Sequence, residues 1–168
     1  MPKSSERRDP RSRYRRLVGA GWSEADRDAV VARLRATIEE LADGEFLVVG
    51  EPARPVDTPR RRFGRRATPP PTRYVQFRLA DEWLYAECVG AQGFGGDWPA
   101  TAEQVAAIRA AGWLAPGDAD PTGTQPGYPN FWRTVPAAGA GELAAMGAAA
   151  LEALGVDAAT VEVQRGQA

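Results

Sequence analysis

Two short stretches of the chain alternate strictly between apolar and polar positions. Val75, Phe77 and Leu79 alternate with Tyr74, Gln76 and Arg78, and beyond Asp81-Glu82 the residues Leu84, Ala86 and Cys88 alternate with Trp83, Tyr85 and Glu87. A period of two is the signature of a strand with one face buried. A hairpin turning at Asp81-Glu82 pairs Leu79 with Leu84, Phe77 with Ala86 and Val75 with Cys88, so that every apolar residue of both strands lands on one face. The opposite face then carries Tyr74, Arg78, Trp83 and Tyr85 with Gln76 and Glu87. It is polar but set with aromatic planes, unlike a simple solvated surface. Asp-Glu is a poor primed-turn pair beside Asn-Gly, which leaves a longer or bulged turn open.

Helical spacing flanks this hairpin. Ser23 before Glu24, Ala25 and Asp26 is a capping-box-like start, and Val30, Leu34, Ile38 and Leu41 recur every three or four residues up to Gly44, which predicts an amphipathic helix over about 24–42. Phe46 to Val49 is a short continuous apolar run that reads as a buried strand. Thr101 with Gln104 three residues on opens a second helix, lined by Val105 and Ile108 and stopped by Gly112. Residues 115–129 are rich in Gly, Pro and Asp and read as a long loop. Phe131 to Val135 is a short strand or the lead-in to a last helix at about 140–154, whose apolar side holds Leu143, Met146, Ala150 and Leu154. Val161 and Val163 suggest a weak final strand or an extended tail.

Length and composition bound this picture to one compact domain with tails. The chain has 168 residues, and an apolar content of 43% is enough for one ordinary core. No apolar window reaches the roughly 18 residues a membrane-spanning helix needs. Residues 1–21 are basic and poor in apolar side chains, so a disordered arm is expected there, with no secretory signal core behind it and a cytoplasmic location for the protein. The domain proper is expected over 22–165, interrupted by a mobile Arg- and Pro-rich loop at 52–72. The net charge of −1 hides an uneven distribution, because all but three of the 21 basic residues lie in 1–78. Twenty of the 21 are arginines, a pattern that fits a GC-rich genome as well as it fits selection for guanidinium groups.

Candidate chemistry is sparse. The chain contains no His, and Cys88 is its only cysteine; placed within an apolar strand, that thiol reads as a small buried side chain. Asp118 and Asp120 stand two apart in a Gly/Pro loop, but the other oxygen ligands and the closing Glu of a calcium loop are missing. The glycines of 90–96 lack the Gly-Lys-Ser/Thr ending of a phosphate loop. Trp113 and the Phe131-Trp132 pair bracket the long loop and read first as pins, because an indole left wet loses its hydrophobic stabilisation. Arg133 either clamps a partner carboxylate or pairs with an acid of its own domain. The runs Arg60-Arg61-Arg62 and Arg65-Arg66 could grip phosphate, or they are a solvated loop. No catalytic residue, cofactor or metal ligand is assigned.

The segments Tyr74-Val75-Gln76-Phe77, Gly112-Trp113, Pro116, Pro129-Asn130-Phe131-Trp132-Arg133, Leu143 and Leu154-Gly155-Val156, in this order, resemble the actinobacterial chaperone-like domains related to type III secretion chaperones and the YbjN family. The resemblance covers about 23–163. It implies an α+β domain, a small antiparallel sheet with helices packed on one face, often dimeric, that holds peptide segments of partner proteins without catalysis. The Arg/Pro stretch 52–72 departs from the compact pattern expected between the first two strands. On this reading the partner-binding candidates are Tyr74, Arg78, Trp83, Tyr85, Trp132 and Arg133, and the aromatic sheet face is a candidate homodimer surface. The alternative is a nucleic-acid-associated protein in which the basic arm and loop hold phosphate while the aromatic rings stack bases.

Overall fold

The computed structural model describes residues 21–52, 72–94, 98–119 and 129–167. Apart from their end residues, the expected basic arm 1–21 and Arg/Pro loop 52–72 lie outside the described residues, as does Asp120. Five strands, β1 (Glu45–Gly50), β2 (Tyr74–Ala80), β3 (Trp83–Cys88), β4 (Phe131–Pro136) and β5 (Glu162–Gln167), form one sheet in the order β4-β3-β2-β1-β5. Each neighbouring pair is antiparallel. Three helices, α1 (Glu24–Glu39), α2 (Ala102–Ala110) and α3 (Ala140–Ala153), pack on one face. This is the α+β arrangement the sequence implied. Among the described residues no helix is long and apolar enough to cross a membrane.

The helix starts follow from local chemistry. At α1 the Ser23 hydroxyl accepts the Asp26 N–H at 3.1 Å while the Asp26 carboxylate accepts the Ser23 N–H at 3.2 Å. The same reciprocal box joins Thr101 and Gln104 at α2. Each satisfies two N–H groups that the first turn leaves without partners. Helix α1 stops at Glu39, earlier than the apolar spacing predicts, yet Leu41 beyond it still enters the core.

The hairpin register is the one expected, with Val75 opposite Cys88, Phe77 opposite Ala86 and Leu79 opposite Leu84. Its turn is neither long nor bulged. Ala80 pairs with Trp83, and Asp81 and Glu82 adopt φ values of 51° and 65°, the left-handed pair that a two-residue primed turn demands. Non-glycine residues are strained there, and neighbouring groups hold them in place. The Asp43 carboxylate accepts the Asp81 N–H at 2.9 Å, and the Ala137 N–H donates to the Glu82 carbonyl at 2.9 Å.

The core lies between the sheet and the helices. Leu47, Val49, Val75, Phe77 and Cys88 are 0% exposed and face Leu34, Ile38, Leu143 and Leu151. Helix α3 sits closest to the strands, and Gly147 makes that approach possible: a Cβ there would stand 2.8 Å from Cζ of Phe77. Two tryptophans act as pins. Trp22 donates its indole N–H to the Val156 carbonyl at 2.8 Å, and Trp113 donates to the Met146 carbonyl at 3.1 Å. Arg73 is a pin of another kind. It donates to the carbonyls of Leu154 and Gly155 at the end of α3, pairs with Glu51 and stacks on Trp98 with 5.5 Å to the ring centroid. A cation at a helix C-terminus satisfies carbonyls that the last turn cannot. Burial pushes the Cys88 thiol well above its ordinary pKa, so it is an inert packing group.

The two remaining alternatives resolve as strands. Phe131–Pro136 pairs with β3, and the tail forms β5 along the edge of β1.

Candidate functional site

Strand alternation gives the sheet a second face, on the side away from the three helices. The register places Phe46 and Val48 of β1, Tyr74, Gln76, Arg78 and Ala80 of β2, Trp83, Tyr85 and Glu87 of β3, and Trp132 and Thr134 of β4 on it. Phe46, Val48, Tyr74, Gln76, Trp83, Tyr85 and Glu87 are half-buried and Arg78 is exposed. Half-buried rings in the middle of a sheet have strand neighbours on their sides and keep part of their surface available to a ligand.

Four of the six sequence-predicted residues, Tyr74, Arg78, Trp83 and Tyr85, therefore share one open face. Arg78 is at its centre, opposite Phe46 on one side and Tyr85 on the other. The remaining two are placed differently. Trp132 lies on this face but is only 2% exposed, and its indole N–H donates to the Ala115 carbonyl at 3.2 Å. The Leu114 and Trp132 backbones exchange two hydrogen bonds of 2.9 Å, so the segment after α2 runs alongside β4. Trp132 thus supports the rim of the face and presents no ring to a ligand. Arg133 alternates to the helix side and pairs with Glu142 of α3 at 3.1 Å, the intradomain option left open by the sequence.

Sequence reasoning missed Phe46 and Val48. Both belong to a continuous apolar run, in which no alternation announces that one side faces outward. Phe46 also covers Gly166 on β5, where any Cβ would collide with its ring. An aromatic laid over a glycine of the neighbouring strand restores packing that the glycine lacks.

Charges on the face are few. The Glu87 carboxylate accepts from the Asn130 side-chain amide at 2.9 Å, which holds it toward the β4 side, and Glu162 is exposed on the edge strand β5. A shallow hollow of about 80 Å³ lies at the corner formed by Val48, Gly50, Tyr74, Glu162 and Gln164. A second concavity, of about 150 Å³, opens on the helix side between α1 and the β5 edge and is lined by Ala29, Val30, Leu34, Val49, Val161 and Val163. Asp118, the remaining candidate from the calcium-loop reading, accepts from Arg109 at 2.9 Å and from the Ala115 N–H at 2.8 Å.

Among the described residues this face offers apolar planes and one cation. No curated protein and no solved structure matches the chain. A protein-family model does, over residues 28–161, a span that runs from α1 to the residue before β5. The family is described as T3SS (YopN, CesT) and YbjN peptide-binding chaperone 3, and the chain belongs to it.

Proposed function

We propose that the open face of the sheet is where this peptide-binding chaperone domain holds extended segments of partner proteins, in a binding role without chemistry. The observation that carries the reading is the one-sidedness of the fold. All three described helices cover one face, while the other keeps Phe46, Val48, Tyr74, Trp83 and Tyr85 half-buried around an exposed arginine. An extended peptide laid over such rings exchanges wetted aromatic surface for contact, and its alternate side chains meet the sheet. A two-fold self-pairing centred on the same face would set Arg78 against its own copy, so the face is assigned to a peptide of a different chain.

Titration of fluorescein-labelled synthetic peptides, screened from an array of unstructured sequences, tests this. Tyr85→Ala should weaken binding about tenfold, the scale of losing one aromatic anchor, and leave the fold intact by circular dichroism. Unchanged affinity in both Tyr85→Ala and Trp83→Ala would overturn the assignment of the face.

A further inference from the structure

The arginines of this domain are almost all spoken for. Of the eight described, Arg27, Arg35, Arg73, Arg109, Arg133 and Arg165 are in ion pairs, and Arg33 donates to the Val161 carbonyl. Arg78 alone among the described arginines has neither an ion pair nor a side-chain hydrogen bond, and it stacks on no ring. It projects from the central strand of the open face, and the acid nearest to it in the register, Glu87, is engaged by Asn130. A guanidinium presents a planar fork of donors matched to a carboxylate, and in a setting partly screened from water by rings that match strengthens.

We propose that Arg78 is a specificity-determining residue that recognises an acidic side chain of the bound segment. The ligand class is an extended peptide with one Asp or Glu flanked at the second position on each side by an apolar residue. The proposal rests on the peptide-binding reading of this face and adds what the face selects.

The spacing follows from the register. Arg78 stands opposite Phe46 and Tyr85, Val48 stands opposite Gln76, and Trp83 stands opposite Ala80. Val48 and Trp83 are thus the diagonal neighbours of Arg78, one on each side. Diagonal neighbours in a sheet lie about 7–8 Å apart, and same-side residues of an extended chain lie about 6.7 Å apart. A peptide along the line from Val48 through Arg78 to Trp83 therefore places an acid on the guanidinium and an apolar side chain on each end. The crossing diagonal passes Glu87, which would repel the same acid. Charge complementarity selects both the residue and the direction.

The probe is the fluorescein-labelled peptide SGTLTETFTGS, compared with SGTLTQTFTGS, in which the acid becomes its neutral isostere. Fluorescence anisotropy on the full chain should give about tenfold tighter binding of the Glu peptide at low salt, a preference that shrinks as salt is raised. Arg78→Gln, an exposed substitution, should bring both peptides to the affinity of the Gln peptide, and Arg78→Lys should restore part of the difference. Equal binding of the two peptides by the unmodified protein would overturn the role of Arg78 and leave the peptide-binding reading standing. Binding of neither peptide would overturn both for this face. Tight binding of a labelled oligouridine that is lost in Arg78→Gln would assign the arginine to phosphate and overturn the peptide proposal.

Discussion

The two faces of the sheet are made by the same strands and differ in what their side chains can tolerate. Toward the helices, Leu47, Val49, Val75, Phe77 and Cys88 are sealed from water, and even a glycine, Gly147, is required for the fit. Toward the open side, rings alternate with Gln76, Arg78 and Glu87 and keep part of their surface available. Close-packed interiors answer a change of one methylene, whereas half-exposed surfaces absorb much larger changes. One face therefore carries stability and the other recognition, and substitutions can separate them.

The largest effect is expected from Phe77→Asp. An unpaired carboxylate placed at a site of zero exposure costs several kcal/mol against a total stability on the order of 5–15 kcal/mol. The variant should lack a cooperative melting transition by circular dichroism, and melting at the temperature of the unmodified protein would mean that the covered face is misassigned. Next comes Gly147→Leu, which overpacks the approach of α3 to Phe77 and should cost about 1–3 kcal/mol, read as a lower urea midpoint with an unchanged slope.

On the open face the balance reverses. Trp83→Ala should change stability by no more than about 1 kcal/mol, the scale of a cross-strand aromatic contact, while peptide binding falls. A loss of stability as large as that of Gly147→Leu would erase the distinction between the faces. The smallest effect concerns the turn that joins β2 to β3. Replacing Asp81-Glu82 by Asn-Gly fills both left-handed positions with residues that tolerate them and should raise the urea midpoint by the equivalent of about 0.5–1 kcal/mol, with binding unchanged.

Much of this contrast was legible in the sequence because the hairpin alternates cleanly. The register from Val75 to Cys88, both helix caps and the gathering of Tyr74, Arg78, Trp83 and Tyr85 follow from period and capping chemistry alone. The turn was not legible. Asp81-Glu82 is locally unfavourable, and what fixes it is the distant Asp43 carboxylate and the Ala137 N–H. Phe46 and Val48 were hidden in an apolar run that suggests burial on both sides. Trp132 and Arg133 could not be sorted without knowing that residues 114–115 return along β4 and that Glu142 stands above the sheet. Arg73 reads as the end of a basic loop and instead ties β2 to the end of α3.

Hydroxyl-radical footprinting of the protein with and without a bound peptide tests the central claim most directly, because it reads the solvent access of individual side chains. The account predicts protection at Phe46, Trp83 and Tyr85, with the sealed Trp113 and Phe77 unreactive in both states. Protection confined to the groove between α1 and the β5 edge, at Val30, Val161 and Val163, with the three rings as reactive as before, would contradict it.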